Sequence, residues 1–167
     1  MFSKALRVSL IASAVLCAAV PAFAADDKGA KVQKFGSWSM GCDPKQPKAC
    51  LLQQDYVDAK SKTPMLRVDI AMQGNPPSPS LRVIAPLGVL LLKPLVINID
   101  GNEPANLPFT TCLPGGCSTV VSLAPQAIDR MKAGKQMNFT FTLANQQTVN
   151  ATISLKGFNE GLAALSK

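Results

Sequence analysis

Five cysteines and not one histidine define the chemistry this 167-residue chain can attempt. Cys112 and Cys117 flank the turn-forming run Leu113-Pro114-Gly115-Gly116 in "FTTCLPGGCST", and Cys42 and Cys50 flank "DPKQPKA". Thiols at such spacings can hold zinc, cycle between thiol and disulfide, or form a permanent cross-link. A thiolate zinc site is usually completed by histidine, and without one it would need all four cysteines together. Thioredoxin-type redox work calls for C-x-x-C at a helix N-terminus, where the dipole lowers one thiol's pKa. Here the spacing is wider and the flanks alternate like strands, so the residue types favour disulfides. Four cysteines allow three pairings. Local pairing, Cys42 with Cys50 and Cys112 with Cys117, closes two short turn-rich loops, each stabilising by roughly 2–3 kcal/mol in the chain-entropy view. A cross-link between the two loops is the alternative.

The missing histidine also removes Ser-His-Asp and Cys-His arrangements and the commonest general base. No catalytic residue is assigned. Asp100 and Glu103 in "DGNEP" are near enough in sequence for a carboxylate pair, but that pattern is equally an exposed turn. Two carboxylates are too few for a calcium loop. No metal site and no cofactor is expected. "NFT" at Asn138 and "NAT" at Asn150 match the glycosylation sequon and read more simply as polar positions on strands.

Disulfides require an oxidising compartment, and the chain's first residues supply the route. Lys4 and Arg7 precede an apolar run from Val8 to Val20, followed by Ala22-Phe23-Ala24 before Ala25. This is the pattern of a secretory signal cleaved after residue 24, and the run falls short of the roughly 20 residues a membrane span needs. Cys17 could accept lipid, but Leu16 stands where the lipoprotein signal requires a small side chain. Loss of Lys4, Arg7 and Cys17 takes the net charge from +7 to +5 and the cysteines from five to four. The basic excess is spread along the chain and no basic run is interleaved with aromatics, which argues against nucleic-acid binding. A periplasmic location is expected, with outer-membrane association or secretion as its variants.

Residues 25–34 are polar and read as a disordered leader, and residues 35–167 as a single domain. "FGSWSMGC" alternates, with Trp38, Met40 and Cys42 on one face of a strand. "ACLLQQDYV" and "PMLRVDIAMQ" follow, the second placing Leu66, Val68, Ile70 and Met72 on one side. "GNPPSPS" is a connection, because its prolines lack ladder donors. "LRVIAP" alternates again. The most apolar stretch, "LGVLLLKPLVINIDG", reads as two buried strands meeting at a bend at Pro94, then a hairpin-type turn at Asp100-Gly101. "LPFTTC" and "CSTVVSL" are short strands around the cysteine turn. Ser122 is positioned to cap a helix over "LAPQAIDRMKAGK", with Pro125 in its first turn and Gly134 at its end. "QMNFTFTLA" and "QTVNATISL" form a terminal hairpin, and "GFNEGLAALS" a short closing helix whose Phe158, Leu162 and Leu165 share a stripe. The whole predicts an all-β fold: an antiparallel β-sandwich, or partly open barrel, of about eight strands with one or two short helices.

In that order, "FGSWSMGC", "APLGVLLLKPLVINIDG", "PFTTCLPGGC", "MKAGK" and "ISLKGF" resemble the invasion-associated locus B family of secreted alphaproteobacterial proteins. The resemblance spans nearly the whole chain after residue 24. It implies an all-β exported protein named for a role in host-cell invasion, with no enzymatic activity and no catalytic set to carry over. It also implies Cys42, Cys50, Cys112 and Cys117 as the cysteine positions and Trp38 as the prominent aromatic of the first strand.

The expected function is therefore binding without catalysis, the partner being a cell-envelope component or a host-surface protein. A structural or stress-protective envelope role without a dedicated ligand is the alternative. The apolar block from Leu90 to Leu95 is the first candidate interface, set against its reading as core strands. The sequence carries no signal for a binding residue beyond this or for oligomeric state.

Overall fold

A computed structural model describes residues 32–167. The signal segment and Cys17 lie outside the described residues. Eleven strands and two helices follow one another: β1 (Gln33–Phe35), β2 (Trp38–Asp43), β3 (Gln46–Val57), β4 (Pro64–Gln73), β5 (Ser78–Ala85), β6 (Leu95–Ile99), β7 (Ala105–Leu107), β8 (Thr111–Leu113), β9 (Gly116–Ser122), α1 (Pro125–Ala133), β10 (Gln136–Thr142), β11 (Thr148–Ser154) and α2 (Phe158–Leu165). They make two antiparallel sheets, one ordered β1-β2-β3-β4-β5-β9-β8 and the other β11-β10-β6-β7. Neither closes into a barrel. Three of the eleven strands are three residues long.

The sheets share one core because the period of two is kept on both inner faces. Leu66, Val68 and Ile70 of β4 and Leu81 and Val83 of β5 are buried against Met137, Phe139 and Phe141 of β10 and Ala151 and Ile153 of β11. The narrower sheet leaves part of the wider one uncovered, and α2 fills that part, contacting β1 through β4. Phe158 packs on Trp38 with ring centroids 5.7 Å apart and a tilt of 56°. Both rings are fully buried, a burial that stabilises by roughly 1.5–3 kcal/mol for a Phe-sized side chain. Gly161 lets the helix sit against Leu52, since a Cβ there would collide with that side chain.

Three sequence expectations change. "FGSWSMGC" is not one strand: Gly36, at φ +55°, turns the chain so that Gln33–Phe35, partly read as leader, pairs back on β2. Ser122 does not cap α1; Ala124 holds the N-cap without a side-chain hydrogen bond, and Pro125 starts the helix. The first half of the apolar block, Leu87 to Pro94, forms turns joined to the body by an isolated Val89–Leu143 bridge instead of a buried strand.

Candidate functional site

The cysteines pair locally. Cys42 and Cys50 are direct cross-strand partners in the β2–β3 hairpin, and Cys112 and Cys117 in the β8–β9 hairpin, each pair with Cα atoms 3.9 Å apart. The registers put the bonds at opposite ends of the seven-stranded sheet: Cys117 faces the C-terminal end of β5, whereas Cys50 lies at the beginning of β3. All four thiols are consumed, and no group of three or more metal-ligating side chains occurs among the described residues.

The two carboxylates of "DGNEP" diverge in role. Asp100, at φ +51°, accepts backbone hydrogen bonds from Lys135 (2.9 Å) and Gln136 (2.9 Å), so it ties the turn after β6 to the start of β10. Glu103 makes no hydrogen bond or ion pair among the described residues. Asn138 and Asn150 face outward on the smaller sheet and join a neutral ladder. Asn138 donates to Asn98 (3.2 Å) and accepts from Thr152 (3.1 Å), and Asn150 accepts from Thr140 (2.9 Å).

The outer face of the larger sheet carries charge instead. Arg67 meets Asp55 directly across β3 and β4 (2.7 Å), and Arg82 donates through Nε to Asp69 across β4 and β5 (2.9 Å). The hydrogen bond that Arg67 donates to the Asp55 carboxylate raises the guanidinium's pKa above its ordinary value. Asp69 is almost fully buried, and its Oδ1 has no hydrogen-bond partner.

One end of the sandwich differs from every other surface. The β3–β4 loop (58–63), the segment 86–94, the β8–β9 turn and the β10–β11 turn all emerge there. Leu90 N–H donates to Thr142 O (2.8 Å) and Ala144 N–H to Gly88 O (2.7 Å), holding two of the loops together. A groove of about 430 Å³ between Met65, Leu87 and Pro114 joins the others. On these loops Leu87, Leu91 and Leu113 are more than half exposed and Leu92 is 94% exposed. Lys60, Lys62 and Lys93 stand exposed at the same end. Asp58 is spent holding its own loop: its Oδ1 accepts from the Ser61 N–H (2.7 Å), the Ser61 hydroxyl (2.8 Å) and the Lys60 N–H (3.1 Å). These bonds, the Ser61 backbone foremost, hold its carboxyl below the usual carboxylate pKa. Of the stretch Leu90–Leu95 singled out in the sequence, Leu91 and Leu92 lie exposed at this end and Leu95 is fully buried. Leu113 carried no signal there, because its hairpin is legible but its end of the sheet is not.

With this geometry in place, a protein-family model described as invasion associated locus B (IalB) protein matches residues 38–166. The chain belongs to this family. It is 30% identical over 132 residues to the invasion protein B homolog of Brucella abortus strain 2308, a match covering 78% of this chain and 76% of that one. The homolog from Brucella abortus biovar 1 strain 9-941 matches with the same figures. The crystal structure of invasion associated protein B from Bartonella henselae shares the fold, with a TM-score of 0.70, 22% identity, and coverage of 81% of this chain and 95% of that one.

Two segments that carry the IalB resemblance, "FGSW" and "SLKGF", lie against each other. Ser37 N–H donates to Lys156 O (3.0 Å), and Gln54 bridges the two, donating to Ser37 O (2.9 Å) and accepting from Ser154 N–H (2.8 Å). Gly36 and Gly157 both have positive φ, and a Cβ on either would strike the other segment's backbone. These two segments thus form a packing junction that seats α2. The relatives are named as invasion proteins, not as enzymes. No helix among the described residues is long and apolar enough to cross a membrane.

Proposed function

We propose that this IalB-family chain is an exported, non-enzymatic binding protein whose contact surface is the loop end around Leu92 and whose partner is an anionic cell-envelope surface. The observation that carries this reading is the cluster of exposed leucines on loops that also hold Lys60, Lys62 and Lys93. Apolar side chains that enter the headgroup region, flanked by lysines, combine area burial with attraction to anionic lipid. An exposed lysine near such a surface contributes on the order of 1 kcal/mol. The two disulfides support export, since such bonds persist in oxidising compartments.

Sedimentation with protein-free vesicles tests the proposal. The chain should pellet with phosphatidylglycerol-containing vesicles and not with pure phosphatidylcholine, and the bound fraction should fall as salt rises. Leu91→Asp with Leu92→Asp should abolish binding while leaving the circular dichroism unchanged. The relatives' names favour a second reading, contact with a host-surface protein through the same end. Failure to bind either vesicle, with Leu92-dependent attachment to host cells, would replace the first reading with the second. A structural role without a ligand predicts that Leu92 is dispensable in both assays.

A further inference from the structure

The opposite half of the sandwich contains a cavity of about 300 Å³, bounded by Leu81 and Val121 of the larger sheet, Ile97 and Met137 of the smaller one, and Met131 of α1. It is thus twice the roughly 150 Å³ of an apolar protein cavity that takes up benzene, and it reaches the range of small-molecule pockets. The space is open to solvent on the side of the exposed Glu103, Ala105 and Ala124 and narrows onto the buried Leu81, Met131 and Met137, the shape of a ligand pocket and not of an interior void. Its inner walls are apolar, and the polar side chains Asn98, Asn102 and Ser122 also line it. At its mouth stand two charged side chains from different elements, Arg130 of α1 and Glu103 of the loop after β6. Both are exposed, neither makes a side-chain hydrogen bond or ion pair among the described residues, and they do not pair with each other.

The geometry points to a site for a single-chain amphiphile with a zwitterionic head. The acyl chain lies between the sheets, the head's phosphate or carboxylate accepts from the Arg130 guanidinium, and its ammonium donates to the Glu103 carboxylate. Arginine's planar fork suits the anionic half, and the free carboxylate disfavours a purely anionic head at the same mouth. The mouth thereby discriminates by charge arrangement, and the apolar walls by chain.

Titration calorimetry of the purified chain with lauroyl lysophosphatidylethanolamine, kept below its micelle concentration, should give saturable one-to-one binding. Arg130→Gln and Glu103→Gln should each weaken it about tenfold, the loss expected for one charge-assisted hydrogen bond. Ala127→Leu grows a side chain from α1 into the cavity and should remove binding without lowering the melting temperature. Dodecanoic acid, with the chain but no ammonium, should bind more weakly and be indifferent to or favoured by Glu103→Gln. Leu92→Asp, which tests the vesicle contact, should leave lysolipid affinity unchanged. Absence of saturable binding, affinity insensitive to Ala127→Leu, equal affinity for the fatty acid, or loss of binding in Leu92→Asp would each overturn the site.

Discussion

Residues Leu87–Pro94 and Leu95–Ile99 are adjacent, similarly apolar and opposite in fate. Leu95 is fully buried at the start of β6, where β10 and β7 pair with its strand on both sides. Three residues earlier Leu92 is 94% exposed, on a turn closed by Lys93 N–H donating to Leu90 O (3.0 Å). Pro94 stands between them, and its missing N–H suits the point where pairing begins. Hydrophobic composition reports that a segment wants to leave water. It does not report whether the chain's own core or an outside surface receives it.

The sharpest way to break this contrast is to shorten one leucine on each side of Pro94. Leu95→Ala should cost about 2–5 kcal/mol of unfolding free energy, because it leaves a hole between the sheets that neighbours only partly fill. Denaturant melts of the two variants measure it. If Leu92→Ala costs as much as Leu95→Ala, segment 86–94 belongs to the core and the proposed contact surface is wrong.

That contrast also explains what was legible in the sequence. β4 has the bounds read from "PMLRVDIAMQ", since ten alternating residues bounded by turn formers leave little freedom. The terminal hairpin and α2 were readable for the same reason. The Leu87–Pro94 segment was misread because a short apolar run carries no period, and burial was the default inference. β1 was hidden because three polar-flanked residues carry no pattern, and its partner is set by the turn at Gly36. The disulfides were legible as a set, but local pairing was one of two readings until the registers placed Cys42 opposite Cys50 and Cys112 opposite Cys117. The cavity could not be read at all, since Arg130 and Glu103 converge only through the packing of α1 beside β6.

A smaller effect separates the two stapled hairpins. Replacing Cys112 and Cys117 together by serine should cost about 2 kcal/mol, the loop-closure entropy of a short cross-link. It should also loosen the turn that presents Leu113, so vesicle binding should fall with it. The Cys42 and Cys50 pair closes a slightly longer loop, with a separation of 8 against 5, and should cost a similar amount. Because it lies at the other end of the sheet, its removal should leave vesicle binding intact at temperatures where the chain stays folded. Equal loss of binding in both double variants would show that binding follows global stability and not the leucine-bearing end.

Next in size, Leu92→Asp should change unfolding free energy by less than about 0.5 kcal/mol, as expected for an exposed position away from special features. The same substitution places a carboxylate where the proposed surface meets an anionic membrane. A measurable loss of stability would mean that Leu92 has a partner within the chain.

The smallest effect concerns acid. The Asp58 carboxyl titrates below its ordinary value of 3.8 because the Ser61 backbone N–H, then the Ser61 hydroxyl, bond its charged form. A carboxyl with a depressed folded pKa adds stability that is complete above the unfolded value and lost as pH falls through the folded one. The 58–63 loop should therefore keep its closed turn throughout neutral and mildly acidic conditions and open only below pH 3.8. The Ser61 amide shift, followed by NMR during acid titration, reads this directly, and a midpoint at or above 3.8 would show that the turn does not depend on the ionised carboxylate. Asp58→Ala should free the loop at neutral pH and scatter Lys60 and Lys62, weakening vesicle binding slightly while leaving Leu91 and Leu92 in place. In the proposed contact the lysines steer and the leucines hold, so loosening the former should slow association and lower its salt sensitivity, whereas removing the latter should end it.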